Sequence, residues 1–185
     1  MARITRLQRE KTALVVVDMQ EGFRPVLPEF EPVANRIATM VKGVRVMGVP
    51  VILTEQYPRG LGHTAPEILN ALDGEPTTVE KVCFGSCGAP GFLQALIRHD
   101  VRQVVLCGIE AHICVTQTAL ELIERDFDVF VMVDGIATRL AENKPVAIER
   151  MTRAGVIVTS LEMALFELLG AAGTPEFKAV QALIK

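Results

Sequence analysis

The chain has 185 residues, half of them hydrophobic, and a formal net charge of −3. It is long enough for one domain with a sizeable core, and it lacks the basic charge that is typical of nucleic-acid binding. A charged N-terminal stretch and short apolar runs predict neither a signal peptide nor a membrane span. The four cysteines are therefore interpreted as reduced thiols of a cytoplasmic protein.

Short apolar runs alternate with helical patterns along the chain, which is typical of an α/β domain with a parallel sheet. In chain order we predict strand Ala13–Val17, helix Val33–Met47, strand Val51–Thr54, helix Ala65–Leu72, strand Thr77–Val82, helix Gly91–His99, strand Val104–Cys107, helix His112–Arg125, strand Asp128–Val133, helix Lys144–Ala154, strand Val156–Thr159, a helix from Ser160 to Leu169 and a last short helix from Thr174. This order predicts a three-layer α/β/α domain with a six-stranded, mostly parallel, Rossmann-like sheet.

Three reactive side chains lie at or just beyond predicted strand ends: Asp18, Lys81 and Cys114. Ligands of such sheets bind beyond the carboxyl ends of the strands, so the three residues could share one rim. Cys114 also falls in the first turn of a predicted helix, where unpaired N–H groups and the helix dipole favour thiolate over thiol. A thiolate is a nucleophile for acyl transfer, which makes Cys114 a candidate catalytic residue.

Several motifs resemble those of the isochorismatase-like cysteine hydrolases, a superfamily that includes nicotinamidases and carbamoyl-amide hydrolases. They are Val15–Gln20, Val79–Lys81 and Gly108–Val115, while Thr54–Gly62 and Glu149–Met151 point to the branch of isochorismatase-domain proteins of unsettled substrate. The similarity runs in order over a core of about residues 12–169, so we interpret residues 1–185 as a single domain of this superfamily.

The resemblance implies a catalytic triad of Cys114, Asp18 and Lys81. Cys114 would attack a carbonyl carbon and form a thioester, Asp18 would carry the thiol proton to the leaving group, and Lys81 would favour the charged forms of both. Backbone N–H groups of Glu110 and Cys114 would form the oxyanion hole, and the family typically has a cis peptide bond before the Glu110 position. The implied substrate is a small amide, imide or ester.

Two departures from family patterns narrow the choice of metal, cofactor and reaction type. Nicotinamidases bind a metal through Asp and His on the loop after the second strand, where this chain has Gln56 and Pro58 with only His63 nearby, so we predict no metal and no cofactor. Vinyl-ether hydrolases of the isochorismate type do not depend on the cysteine, so Cys114 favours carbonyl chemistry. That vinyl-ether activity and a catalytically silent scaffold on the same fold remain the alternatives.

The remaining predictions concern the pocket and the partners. We predict that the substrate pocket is lined by Gln20, Phe23, Gln56, Phe84 and His112. His112 is two residues from Cys114, and positions two apart on a helix do not face each other, which disfavours a Cys–His dyad. We expect a small-molecule substrate, no nucleic-acid or membrane partner, and a homo-oligomer in which the apolar stretch Leu161–Leu169 packs against a partner subunit.

Overall fold

The computed structural model describes residues 6–185. Its elements in chain order are β1 (Thr12–Val17), α1 (Phe30–Val46), β2 (Val51–Gln56), α2 (Pro58–Leu61), α3 (Pro66–Leu69), β3 (Thr77–Lys81), α4 (Phe92–Arg98), β4 (Gln103–Gly108), α5 (Thr116–Ile123), β5 (Asp128–Ile136), α6 (Asn143–Arg153), β6 (Ile157–Thr159), α7 (Leu161–Leu169) and α8 (Pro175–Leu183). Every predicted strand and helix is present, and α2 is an additional turn in a stretch that the sequence pattern leaves irregular.

The six strands form one sheet in the order β3-β2-β1-β4-β5-β6, and each neighbouring pair is parallel. This confirms the predicted α/β class and makes the sheet fully parallel among the described residues. The chain builds outward from β1 through β2 to β3, then returns to place β4 on the other side of β1. The carboxyl ends of β1 and β4 therefore flank the point where strand order reverses, which is where such sheets bind ligands.

The central strands are buried on both faces, which explains why they read as continuous apolar runs in the sequence. In β1, Leu14 and Val16 pack into a core with α1, α7 and α8, whereas Val15 and Val17 pack into a second core with α4, α5 and α6. The alternation follows from the two-residue period of a strand, and it gives the three layers.

The helix α7 uses its apolar face within this chain. Leu161, Ala164, Leu165 and Leu168 are buried in the core that contains α1. The apolar period of three to four residues in Leu161–Leu169 reflects packing on the sheet. Met163 and Phe166 of the same stretch remain exposed, and contact with a partner subunit stays a prediction.

A close approach between β1 and β4 depends on Gly108. This residue has φ 111°, and a Cβ there would lie 2.0 Å from the carbonyl oxygen of Val17. Without a side chain, β4 ends directly against β1, and the N–H of Ile109 donates to the Val17 carbonyl at 2.8 Å. The residues that follow β4 are thereby placed beside Asp18.

Candidate active site

A buried ion pair joins the ends of β1 and β3. Lys81 Nζ lies 2.7 Å from Asp18 Oδ2, and the side chains are 0% and 1% exposed. Asp18 adopts φ 49°, a left-handed conformation that is uncommon outside glycine and that directs its side chain from the end of β1. Burying two opposite charges is tolerated only when they pair with each other, so Asp18 and Lys81 each depend on the other.

The Lys81 ammonium is held by three further acceptors. It donates to Gln56 Oε1 at 2.7 Å and to the carbonyl oxygens of Cys83 and Phe84 at 3.1 and 3.0 Å. Because these bonds use its three N–H groups, the contact with Asp18 Oδ2 is mainly electrostatic. Oδ2 is one of two buried side-chain polar atoms in residues 6–185 that have no aligned hydrogen-bond partner. Its lone pair is available to a proton from a neighbouring group.

Cys114 lies in a wide helical turn, Ala111–Val115, that precedes α5. In this turn the N–H of Val115 donates to the Glu110 carbonyl at 3.3 Å, five residues back. Cys114 is 8% exposed, and both Asp18 and Lys81 lie close enough to its thiol to act on its pKa by charge and by polar contact. The structure therefore brings the three predicted residues together at the carboxyl edge of the sheet.

The resting state of Cys114 differs from the expectation of a thiolate. Burial, reinforced by the negative charge of Asp18, raises the pKa of Cys114 to about 12, and the positive charge of Lys81 opposes this only in part. The expected effect of the helix N-terminus is outweighed by desolvation, which disfavours the charged form of a thiol. Burial thus favours the neutral thiol of Cys114, next to a carboxylate that can take its proton.

Because Cys114 titrates well above neutrality, we expect its alkylation by iodoacetamide to accelerate about tenfold per pH unit between pH 7 and 9. Below the pKa, each unit of pH multiplies the thiolate fraction by about ten. Peptide mapping by mass spectrometry separates Cys114 from the partly exposed Cys83. A rate that levels off below pH 8 would show instead that Cys114 rests as a thiolate.

The chain at the predicted oxyanion hole turns sharply after β4. The peptide bond between Ile109 and Glu110 is cis, as the resemblance implies. The Glu110 carbonyl accepts the N–H of Ile113 at 3.0 Å, which closes the turn that carries Cys114. The main chains of Glu110 and Cys114 are therefore held within one short turn beside Asp18.

Two of the predicted pocket residues are engaged with the protein itself. Gln20 is fully buried: its side-chain amide donates to the carbonyls of Gln56 and Gly62, at 3.1 and 2.6 Å, and accepts the Gln56 N–H at 2.7 Å. The Gln56 side chain contacts Lys81 and donates to the Val82 carbonyl at 2.9 Å. Gln20 thus fixes Gln56, and Gln56 fixes Lys81, so the predicted substrate contact of Gln20 is corrected to a supporting position.

The other predicted pocket residues differ in their exposure. Phe84 is exposed, Phe23 is partly buried against the α1 core, and His112 is partly buried with an Nδ1 atom that has no hydrogen-bond partner in residues 6–185. A cleft of about 460 Å³ borders Lys81. Its walls are formed by Tyr57, Pro58, Arg59, Glu80, Val82, Cys83, Gly88, Ala89 and Pro90.

An acid–histidine pair joins β2 to the loop that follows it. His63 Nδ1 lies 3.0 Å from Oε2 of the buried Glu55, and this contact raises the pKa of His63. The other oxygen of Glu55 accepts the N–H and hydroxyl of Thr64, at 2.7 and 2.8 Å. Within residues 6–185 no group of three or more acidic, His or Cys side chains is arranged to hold a metal ion.

Sequence reasoning missed two contributors to this site. Thr54 Oγ1 donates to Asp18 Oδ1 at 2.7 Å; it pairs with Val17 in the sheet register, and a lone hydroxyl at the end of an apolar strand was the available signal. Arg139 contacts the buried carboxylate of Glu110 from the loop after β5. That partner comes from 29 residues away, and the sequence carries no signal for it.

Two further observations concern the state of the cysteines and the length of the helices. All four cysteines are free thiols, and burial raises the pKa of Cys87 to about 12. In the part of the chain that the structure describes, no helix is both long enough and apolar enough to cross a bilayer.

This is an α/β protein with a parallel Rossmann-like sheet, and a thiol lies beside a buried carboxylate–ammonium pair at the carboxyl edge of that sheet. The chain belongs to the isochorismatase family, since the model described as Isochorismatase domain matches residues 12–163. It is 39% identical over 175 residues to isochorismatase domain-containing protein 1 of Salmo salar, covering 94% of this chain and 61% of that protein. It therefore spans about three fifths of that relative.

Two further similarities cover nearly the whole chain. The secreted isochorismatase effector Isc1 of Phytophthora sojae is 37% identical over 187 residues, covering 99% of this chain and 89% of that protein. The solved structure of a MAR1 ribonuclease from Caenorhabditis elegans has a TM-score of 0.92 and 36% identity, covering 97% of this chain and 92% of that one.

Proposed function

We propose that this protein is a metal-independent cysteine hydrolase that cleaves a small amide, imide or ester through a thioester on Cys114. The observation that carries the proposal is the position of the buried Cys114 thiol, which lies close enough to the Asp18–Lys81 pair for both charges to act on it. A carboxylate beside a thiol can act as its general base and take its proton.

In the first half of the reaction, Asp18 takes the thiol proton as the sulfur forms a bond to the substrate carbonyl carbon. The resulting oxyanion is stabilised by the backbone N–H groups of Glu110 and Cys114. The tetrahedral intermediate then expels the leaving group, which receives the proton from Asp18, and a thioester remains on Cys114.

In the second half, water attacks the thioester and gives its proton to Asp18. Collapse of the second tetrahedral intermediate releases the acid product and returns the proton to the Cys114 sulfur. Lys81, 2.7 Å from Asp18 Oδ2, holds the Asp18 carboxylate in place through both halves. No cofactor enters this cycle.

The predicted pocket residues take different roles in this proposal. Gln20 and Gln56 position Lys81 through the contacts described above. Phe23, Phe84 and His112 are assigned to the substrate-facing surface, and the unpartnered Nδ1 of His112 offers the substrate a hydrogen bond.

The test is a panel of small amides, imides, esters, isochorismate and RNA, assayed with the wild-type protein and Cys114→Ala. RNA belongs in the panel because the Caenorhabditis elegans structure bears the name ribonuclease. Cys114-dependent hydrolysis of a carbonyl compound, with an acyl mass on the Cys114 peptide, supports the proposal. Isochorismate turnover that survives Cys114→Ala supports vinyl-ether chemistry, and no turnover of any compound supports a scaffold.

Assembly and location are also proposals. We propose a cytoplasmic homo-oligomer, supported by four free thiols and by exposed apolar side chains such as Val82, which is 79% exposed. Sedimentation equilibrium is expected to give a multiple of the 20.2 kDa subunit mass. A single species at the subunit mass would contradict this assembly.

A further inference from the structure

The carboxylate of Glu110 is a buried charge that the proposed reaction does not use. It is 4% exposed in the ion pair, and its partner Arg139 is 52% exposed. Glu110 Oε1 accepts the backbone N–H of Arg139 at 2.9 Å, and Arg139 Nε lies 3.1 Å from both Glu110 oxygens. A buried carboxylate is costly unless it is paired, so this arrangement calls for a reason.

The main chain around Glu110 provides that reason. The Glu110 carbonyl accepts the N–H groups of Ile113 and Val115, which stand on either side of Cys114 in sequence. The next N–H, that of Ala111, donates to the Ala137 carbonyl at 2.9 Å. Both the side chain and the main chain at the start of the Cys114 turn are thus fixed to residues 137–139 of the loop after β5.

We propose that Arg139 is a positioning residue that acts through Glu110 to hold the Cys114 turn in the geometry for attack. The inference rests on the proposed function, because it concerns the alignment of Cys114 and of the oxyanion N–H groups. Small displacements of a nucleophile or an oxyanion donor lower rates steeply, by as much as about 100-fold for 1 Å. The contact uses Nε with the backbone N–H of the same residue, a geometry that the single ammonium of a lysine does not reproduce.

The experiment compares Arg139→Gln, Arg139→Lys and Glu110→Gln with the wild-type protein, using a substrate from the panel. Arg153→Gln is the matched control, because Arg153 pairs with Glu149 on the exposed surface of α6. We expect Arg139→Gln to lower kcat by about 10-fold to 100-fold with KM changed less than about threefold. Arg139→Lys is expected to recover only a small part of kcat, and the control is expected to match the wild type.

The double variant Arg139→Gln/Glu110→Gln decides whether Arg139 acts through Glu110. If it does, the double variant loses no more kcat than the worse single variant, because both changes break one linkage. Multiplied losses, or a raised KM at unchanged kcat, would show that Arg139 contacts substrate directly and would overturn the inference. A lower Tm with unchanged kcat well below that Tm would also overturn it.

A second readout does not require a substrate. Iodoacetamide alkylation of Cys114 at pH 9 is expected to change severalfold in rate in Arg139→Gln, Arg139→Lys and Glu110→Gln, and to stay unchanged in Arg153→Gln. Equal rates in all five proteins would overturn the positioning role while leaving the proposed hydrolase intact. The hydrolase proposal fails separately, if Cys114→Ala turns over the panel as the wild type does.

Discussion

Replacing Cys114 by alanine is expected to lower hydrolysis of any carbonyl substrate by about 10⁴-fold or more, with the fold preserved. Removing a nucleophile that acts in a unit with its base has effects of this size in well-studied hydrolases. The variant leaves only binding and the oxyanion hole to act on an attacking water. The measurement is kcat/KM on the best substrate of the panel, together with Tm.

The matched control is Cys107→Ala. Cys107 is fully buried in β4 and packs into the core with α1, whereas Cys114 packs into the core on the other face of the sheet. We expect Cys107→Ala to lose about 1 kcal/mol of stability, since a small buried side chain is shortened, and to keep its turnover. A Cys114→Ala protein within tenfold of the wild type would contradict the thioester route.

Breaking the Asp18–Lys81 pair is expected to have the largest effect on stability. Asp18→Asn leaves a buried ammonium, and Lys81→Met leaves a buried carboxylate that still accepts a hydrogen bond from the Thr54 hydroxyl. Removing one partner of a buried pair typically costs about 3–5 kcal/mol. Because Lys81 keeps its other acceptors in Asp18→Asn, we expect the loss of stability of this variant to lie near the lower end of that range. Chemical denaturation measures the free energy of unfolding of both variants.

The double variant Asp18→Asn/Lys81→Met separates structure from chemistry. With no unpaired charge left, it is expected to recover at least about 2 kcal/mol relative to Lys81→Met, because replacing a buried pair by neutral groups is often nearly neutral. Its turnover is expected to stay as low as that of the single variants, since the base is gone. Recovery of turnover along with stability would show that the pair serves folding alone.

Local patterns were sufficient to predict the elements and their order. Apolar runs rich in valine predict β1 and β4 because strands buried on both faces have few polar residues. Helix boundaries were less accurate: the sequence predicts one helix over His112–Arg125, whereas the chain forms a wide turn to Val115 before α5 begins. The turn is closed by main-chain bonds to the Glu110 carbonyl, and Glu110 and Ala111 are bonded in turn to residues 137–139, which is a tertiary constraint.

The candidate site was likewise predicted only in part. The placement of Asp18, Lys81 and Cys114 at one edge follows from parallel strands, and their types indicate acyl transfer. The pKa of Cys114 depends on burial and on the neighbouring charges, and burial outweighs the effect of the helix N-terminus from which a thiolate was expected. The prediction that Gln20 faces substrate failed for a related reason, since its amide bonds to the main chain of Gln56 and Gly62.

The sequence by itself determined the class of fold, the family and the identity of three reactive side chains. These signals are local: the strand period, the turn residues and the motifs each depend on residues that are close together in the sequence. Only the tertiary structure decided that Lys81 has three acceptors besides Asp18, that Thr54 supports Asp18, and that Arg139 reaches Glu110. Apart from the two carbonyls next to Lys81 in sequence, those contacts join residues 25 to 36 positions apart. Desolvation and hydrogen-bond partners at such distances depend on how the whole chain packs.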